Sequence, residues 1–412
     1  MSQPQSIKKN IVFNSIGTFV MFFCQWLMTV LVVRISGFSD SGILSLAMSC
    51  GSVFLIIAAF GIKTYQVSDV EYRYSDGVYM AAKLLCIALT VAIAIVWTLV
   101  SAYDTEEKGA IILYMIYQMI YSYADAVYGT WQRKWRLELA GMSMIMRSVG
   151  SLIFFCLVLW LLKSIVAAIA SMIIVTLIVL LAFDLPRSSK IVSIKPDFSD
   201  KKALKLIKEC LPFAIYTFLH TLVLTVPKLA VRGFFDKDSL GIFSSVLAPV
   251  TALQVIATFV INPLTTLFAM YLKNGDKKNL VKSLLKVCAM LAGFLVAGVL
   301  VCIFLGEWGL NLLYGGEIIP YAYLLIPMVF ISILTALTIT LGNLAVVLRD
   351  PVGSLISGGA GLAAAIFMCM VTMPAAGLMG GCYGFLAGLI VQDLVLVAAL
   401  IIKLKKVPAK IA

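Results

Sequence analysis

Residues 209–243 read ECLPFAIYTFLHTLVLTVPKLAVRGFFDKDSLGIF. The stretch is long and apolar enough to cross a bilayer as a helix, yet it holds the only histidine of the chain, His220, together with Lys228 and Arg232. Such residues are expensive in hydrocarbon. At helical pitch Thr217, His220, Thr221, Thr225, Lys228 and Arg232 fall within an arc of about 140°. One face is therefore polar and calls for water or a ligand.

The rest of the chain shows that this helix is one of many. Of 412 residues, 62% are hydrophobic and only 13% charged, which excludes a soluble globular protein. Apolar runs of about twenty residues recur from end to end, and without the alternation of barrel strands each satisfies its backbone only as a helix. The expectation is an all-α integral membrane protein of twelve spans, at about 10–34, 41–62, 78–101, 109–131, 142–162, 164–184, 209–233, 240–270, 281–305, 318–347, 352–373 and 377–402. The break at Lys163 and Ser164 is the weakest of the eleven boundaries, because two residues alone separate the helices there.

Basic residues support the count. With the N-terminus cytoplasmic, the inner segments hold Lys8, Lys9, Lys63, Arg73, Lys83, Arg133, Lys134, Arg136, Arg147, the run from Arg187 to Lys208, that from Lys273 to Lys286, Arg349, and that from Lys403 to Lys410. Only Arg34, Lys108, Lys163, Arg232 and Lys237 fall outside, and Lys228 within a span. This asymmetry places both termini in the cytoplasm and accounts for the net charge of +12 without a nucleic-acid partner. The basic loops face anionic headgroups of the bilayer. The first span is read as a retained helix, being too long for a signal-peptide core. The nine cysteines, without CxxC pairs or His/Cys clusters, read as small buried hydrophobes.

The two halves resemble each other. LVVRISGFSDSGILSLA, residues 31–47, parallels LAVRGFFDKDSLGIFSSVLA, residues 229–248, each with an arginine at a span end, an acidic turn and a Gly-Ile opening the next helix. A parallel repeat of six helices follows, related by a pseudo-two-fold axis along the membrane normal. The expected organisation is an N-lobe at 1–184, an inter-lobe linker with an amphipathic surface helix at 185–208, and a C-lobe at 209–412.

Polar stripes recur on equivalent helices. Asn14, Thr18, Gln25 and Thr29 lie within about 60° of one another on the first helix; Ser45, Ser49 and Ser52 mark the second, and Ser244, Thr251, Gln254, Thr258 and Asn262 the eighth. Serines and threonines commonly glue helices together, but Gln25, Lys228, Gln254 and Asn262 point to a hydrated cavity. Lys228 is the sharpest candidate, with snorkelling to the interface as the competing reading; Arg34 lies off its stripe and reads as an interfacial anchor, and His220 also fits a satisfied core position. Pro212, Pro227, Pro249 and Pro263 are expected to bend or break their helices. Asp125, among Tyr114, Tyr117, Gln118, Tyr121 and Tyr128, and Asp393 beside Gln392 are intramembrane carboxylates and, with His220, the candidates for ion coupling. A neutral-to-basic cavity favours an anionic substrate. There is no HExxH, no GxxxxGK[ST] and no Ser/His/Asp arrangement, so no enzyme and no cofactor are expected.

NSIGTF at 14–19, VVRISGFSDSGILSLA at 32–47, FGIKTYQVSDVEYRYSDGVYMAAK at 60–83, GTWQRKWRLELAGMSMIMRS at 129–148 and LYGGEIIPYAYLLIPMVF at 313–330 resemble the oligosaccharide (polysaccharide) flippase family, the O-antigen translocase branch of the multidrug/oligosaccharidyl-lipid/polysaccharide exporter superfamily. The resemblance implies a carrier that moves a polyprenyl-diphosphate-linked oligosaccharide across the bacterial cytoplasmic membrane by alternating access, driven by an ion gradient, alongside a glycan polymerase or glycosyltransferases. It also implies a cationic cavity between helices 1, 2, 7 and 8, to which Lys228, Gln25, Asn14, Thr29, Gln254, Asn262, Arg232, Arg34 and Arg147 are assigned. Gln66, Asp69, Arg73 and Arg133 are expected to form an inward gate closed by ion pairs. A cation-coupled multidrug antiporter of the same fold, with Asp125 or Asp393 as its ion site, and a non-transporting scaffold for glycan assembly are the alternatives.

Overall fold

The computed structural model describes residues 7–69, 71–273, 275–348 and 350–406, with backbone alone at 7–9, 11, 258–266, 269, 273 and 406. Among the described residues there is no strand, and twelve helices are long and apolar enough to cross a membrane. The chain is a multi-pass membrane protein. It packs as two compact units, Met1–Ala214 and Ile215–Ala412.

The first unit holds α1 (Ile7–Ser36), α2 (Phe38–Ala59), the short α3 (Ile62–Ser68), α4 (Asp76–Val100), α5 (Thr105–Arg133), α6 (Leu137–Leu162), α7 (Ile165–Val179), a π-helical turn (Leu180–Asp184), α8 (Leu185–Ser189) and the start of α9 (Lys202–Phe234). The two-residue break holds as a helix hairpin. Lys163 ends α6 in the left-handed region at φ 49°, and the Ser164 hydroxyl accepts the Ala167 N–H to start α7. At α5 a full capping box forms: Asp104 accepts the Glu107 N–H and Glu107 accepts that of Asp104. Helices α1 and α6 meet backbone to backbone, since a Cβ on Gly17 would lie 2.6 Å from the Gly141 Cα. Only glycine permits that approach.

Residues 185–214 pack with the first unit. The Asp197 N–H donates to the Gly77 carbonyl (2.9 Å), and a Cβ on Gly77 would lie 2.6 Å from the Lys195 carbonyl oxygen. Ala203, Leu206 and Cys210 of α9 then bury themselves against Ile62, Val78, Tyr79 and Cys86. The segment expected as a linker is thus docked over the start of α4.

The second unit contains the rest of α9, α10 (Lys237–Lys273), α11 (Lys277–Tyr314), a 3-10 segment (Gly316–Leu324), α12 (Leu325–Val347), α13 (Pro351–Ala376) and α14 (Leu378–Lys406). Pro212, Pro227, Pro249 and Pro263 do not break α9 or α10, which run through them. The hairpin of α13 and α14 turns at Gly377 (φ 59°) and closes on glycines: a Cβ on Gly361 would lie 2.8 Å from the Gly388 carbonyl oxygen, and one on Gly388 2.9 Å from Ala365 Cβ. The small residues at Gly380, Gly384 and Gly388 recur every turn, the spacing of tight membrane helix pairs. The core of this unit is built from Phe268, Val287, Leu291, Leu341, Leu344 and Leu396.

Helices α1 and α9 each carry an arginine in the last turn, but the following helices start differently. Arg34 lies in the last turn of α1, Gly37 (φ 88°) turns the chain and α2 begins at once; Arg232 lies in the last turn of α9, and Asp236 caps α10 by accepting the Ser239 N–H at 2.7 Å.

Candidate functional site

The densest polar constellation sits in the first unit where α3, the start of α4 and the end of α5 meet. Arg133 ends α5, whose periodic apolar face carries its guanidinium inward: the side chain is 3% exposed. Its Nη1 donates to Asp76 Oδ1 at 3.0 Å, and its Nη2 lies 3.8 Å from Asp69 Oδ2. The Tyr72 ring stacks beneath it at 4.2 Å and the Tyr79 ring lies 5.4 Å away. Gln66, fully buried, donates to Thr130 Oγ1 (3.0 Å) and reaches Asp76 Oδ1 at 3.4 Å.

Asp69 is held as an anion. The N–H groups of Arg73 (3.0 Å) and Tyr74 (3.2 Å) and the hydroxyl of Tyr79 (3.0 Å) all donate to its carboxylate. Burial pushes the Asp69 carboxyl up, but these donors and the Arg133 charge outweigh it and hold it below the usual carboxylate range. The structure therefore brings together three of the four residues expected at the gate. The fourth, Arg73, contributes its backbone N–H while its side chain stays exposed.

A second clamp fixes α9 to the same end. Both oxygens of Glu209 are taken by phenols, Tyr65 at 2.6 Å and Tyr74 at 2.9 Å. The bond to Glu209, with burial behind it, pushes the Tyr65 phenol up to about 12. Burial first and then Glu209 raise that of Tyr74.

The same unit holds further charged side chains. Lys63 of α3 donates to Asp125 of α5 at 2.7 Å, and the fully buried Lys83 of α4 reaches the Ala59 carbonyl (3.3 Å) and Ser122 Oγ (3.4 Å). Grouped by sequence with a cytoplasmic loop, Lys83 is in fact inside the helix bundle. Arg147 of α6 pairs with Asp184 of the π turn at 2.6 Å, both fully buried, and the Tyr121 ring lies 5.8 Å from the guanidinium. Arg147, assigned on sequence to the substrate cavity, is thus occupied by an ion pair in the core of its own unit.

The remaining candidates of the first unit are less connected. Asn14 is half-buried and its carbonyl accepts the Thr18 hydroxyl; Thr29 donates to the Trp26 carbonyl; Gln25 and Arg34 are exposed. In the second unit Lys228, Arg232 and Gln254 are half-buried, and among the described residues no carboxylate lies within ion-pair distance of Lys228. His220 Nδ1 lies 3.3 Å from Gln392 Oε1, and its ring stacks on Tyr216. Asp393 is buried, and neither carboxylate oxygen has a hydrogen-bond partner among the described residues. The Asn262 side chain lies outside the described residues.

Sequence reasoning passed over Asp76, Tyr79, Thr130, Lys63, Asp184 and Glu209. Asp76 follows Ser75 at a helix start, where an acid ordinarily answers the helix dipole; nothing local announces a partner 57 residues away. The visible cue was Lys83, about two helical turns inside the third span.

The two helical units and twelve candidate spans among the described residues define an all-helical multi-pass membrane protein. The fold is similar to that of an inward-facing multidrug resistance MATE family transporter of the MOP superfamily, with a TM-score of 0.74 and 13% identity over 97% of this chain and 100% of that one. The bent form of the Vibrio cholerae MATE transporter VcmN gives a TM-score of 0.60 at 15% identity, over 97% of this chain and 96% of that one. The chain is 23% identical over 316 residues to the capsular polysaccharide biosynthesis protein CapF of Staphylococcus aureus, covering 75% of this chain and 78% of the relative. The model of the polysaccharide biosynthesis protein family matches residues 7–272, and the chain belongs to that family.

Proposed function

We propose that the chain is an alternating-access carrier that moves a polyprenyl-diphosphate-linked oligosaccharide from the inner to the outer leaflet of the bacterial cytoplasmic membrane, with both termini in the cytoplasm. Membership of the polysaccharide biosynthesis family and the MATE-like fold support a transporter in that pathway. The observation that carries the anionic substrate is Lys228, an ammonium inside an apolar span with no carboxylate in range among the described residues. Lys228, with Gln25, Gln254 and Asn262, contacts the diphosphate or the first sugars. Arg232, Arg34, Asn14 and Thr29 are the further candidates for substrate contact. Asp69, Asp76, Gln66 and Arg133 form the inward gate.

Complementation tests this reading. In a strain lacking the chain, Lys228→Ala is expected to reach the membrane at normal levels and to leave surface polysaccharide absent; unimpaired export sinks the proposal. A second reading, a cation-coupled drug antiporter, draws on the buried Asp393. Drug resistance conferred on an efflux-deficient host and lost in Asp393→Asn would favour it instead.

A further inference from the structure

We propose that Lys63, Lys83 and Asp125 form a phosphate-oxyanion subsite inside the first unit, in which Asp125 occupies the anion's place until a ligand displaces it. The assignment of the ligand as the substrate's own diphosphate rests on the transport reading; the site itself does not.

The argument starts from charge. Lys63 is bonded to Asp125 at 2.7 Å, while among the described residues Lys83 has no carboxylate within ion-pair distance and makes two long bonds, to Ala59 O and Ser122 Oγ. An ammonium offers three donors, so among these partners Lys83 leaves one unused in a fully buried position. The neighbouring buried carboxylates have partners of their own: Asp184 pairs with Arg147, Asp76 with Arg133, and Asp69 accepts from the Arg73 and Tyr74 N–H groups and the Tyr79 hydroxyl. A buried ammonium without a carboxylate of its own is costly unless an anion answers it.

Access and shape agree. The Lys63 and Asp125 side chains are 30% and 22% exposed, so an anion meets them first, with Lys83 behind. The Tyr128 ring lies 5.8 Å from the Lys63 ammonium. Lysines suit a diffuse phosphate charge as point donors. A carboxylate that already bonds Lys63 copies one edge of a phosphate, holds that ammonium in the resting chain, and leaves when a stronger dianion arrives.

The test is equilibrium binding by the purified full chain in zwitterionic detergent, with farnesyl diphosphate and inorganic pyrophosphate as probes. Because Asp125 competes with the ligand, Asp125→Asn is expected to bind tighter, by about tenfold for one charge-assisted hydrogen bond set free, and Lys63→Gln weaker by about the same factor. The double variant loses the gain. Preference for the farnesyl form identifies a lipid-linked diphosphate; equal gain with pyrophosphate identifies a free phosphate, and either supports the subsite. Equal or weaker binding by Asp125→Asn overturns it, as does unaltered binding by Lys63→Gln. Should the variants fail to fold, amine-reactive footprinting of the wild-type chain decides: diphosphate protects Lys63 severalfold relative to exposed Lys190, and unchanged labelling refutes the site. Export failing in Lys228→Ala while these binding results are negative would leave the transport reading standing and this one rejected.

Discussion

Arg133 at the end of α5 donates to Asp76 at the start of α4 across 3.0 Å, with both side chains nearly sealed from solvent. Two helix ends that are 57 residues apart in sequence are thereby tied by one charge-assisted bond, and Asp69 approaches the same guanidinium from the other side. A buried pair of this kind is held together strongly but adds little over an apolar replacement of both partners. Its value lies in being breakable as a unit, which is what a gate requires.

Removing the shared cation is therefore expected to be far worse than removing one anion. Arg133→Met leaves two buried carboxylates facing each other and should destabilise the chain by about 3–5 kcal/mol. Asp76→Asn keeps the Asp69 contact and should be clearly milder. Thermal unfolding of the detergent-solubilised chain measures both; equal losses would contradict a shared-cation strap.

The pH dependence of the strap follows from Asp69. Its carboxyl is held below the usual range, so its contribution is complete above the ordinary carboxylate value of 3.8 and fades only as pH falls through the lower folded-state value. The difference in melting temperature between the wild type and Asp69→Asn should be flat from about pH 5 to pH 8 and shrink in stronger acid. A difference that changes between pH 6 and 7 would contradict the bonding seen here.

Glu209 gives the corresponding prediction for α9. Tyr65→Phe and Tyr74→Phe each remove one bond to a carboxylate and should destabilise by about 1.5–3 kcal/mol, with the double variant losing less than the sum because the two share an acceptor. Since the Tyr65 phenol is raised to about 12, its contribution is whole below the ordinary tyrosine value of 10 and is lost as pH rises through about 12. Melting temperatures of the single and double variants at neutral and alkaline pH check this.

Helix contact predicts a steric outcome at Gly141. A Cβ there would run into the Phe13 carbonyl, and backbone cannot swing aside. Gly141→Ala should destabilise by about 1–3 kcal/mol through overpacking. Wild-type melting in that variant would show that α1 and α6 do not meet as described.

The twelve spans were legible in composition because a bilayer admits few alternatives, and the helix break at Lys163 and Ser164 could be placed because the basic-residue alternation demanded it. The charged cluster was partly legible: Gln66, Asp69 and Arg133 stood out as polar residues at helix ends, whereas Asp76 looked like ordinary helix-end chemistry. Pairings such as Lys63 with Asp125 or Arg147 with Asp184 are tertiary, set by which helix faces meet, and no period in the sequence reports them. Lys83 was misplaced because charge counting assigns a lysine to the nearest loop, while a helix can carry it inward by its pitch alone.

The central claim is tested most directly by reconstitution. Purified chain is placed in liposomes carrying a fluorescent polyprenyl-diphosphate oligosaccharide in the leaflet it would meet in the cell, and its appearance on the opposite face is followed with a membrane-impermeant quencher. The account predicts quenching that depends on the wild-type chain and is lost with Lys228→Ala; no translocation by the wild type, or equal translocation by the variant, would contradict it.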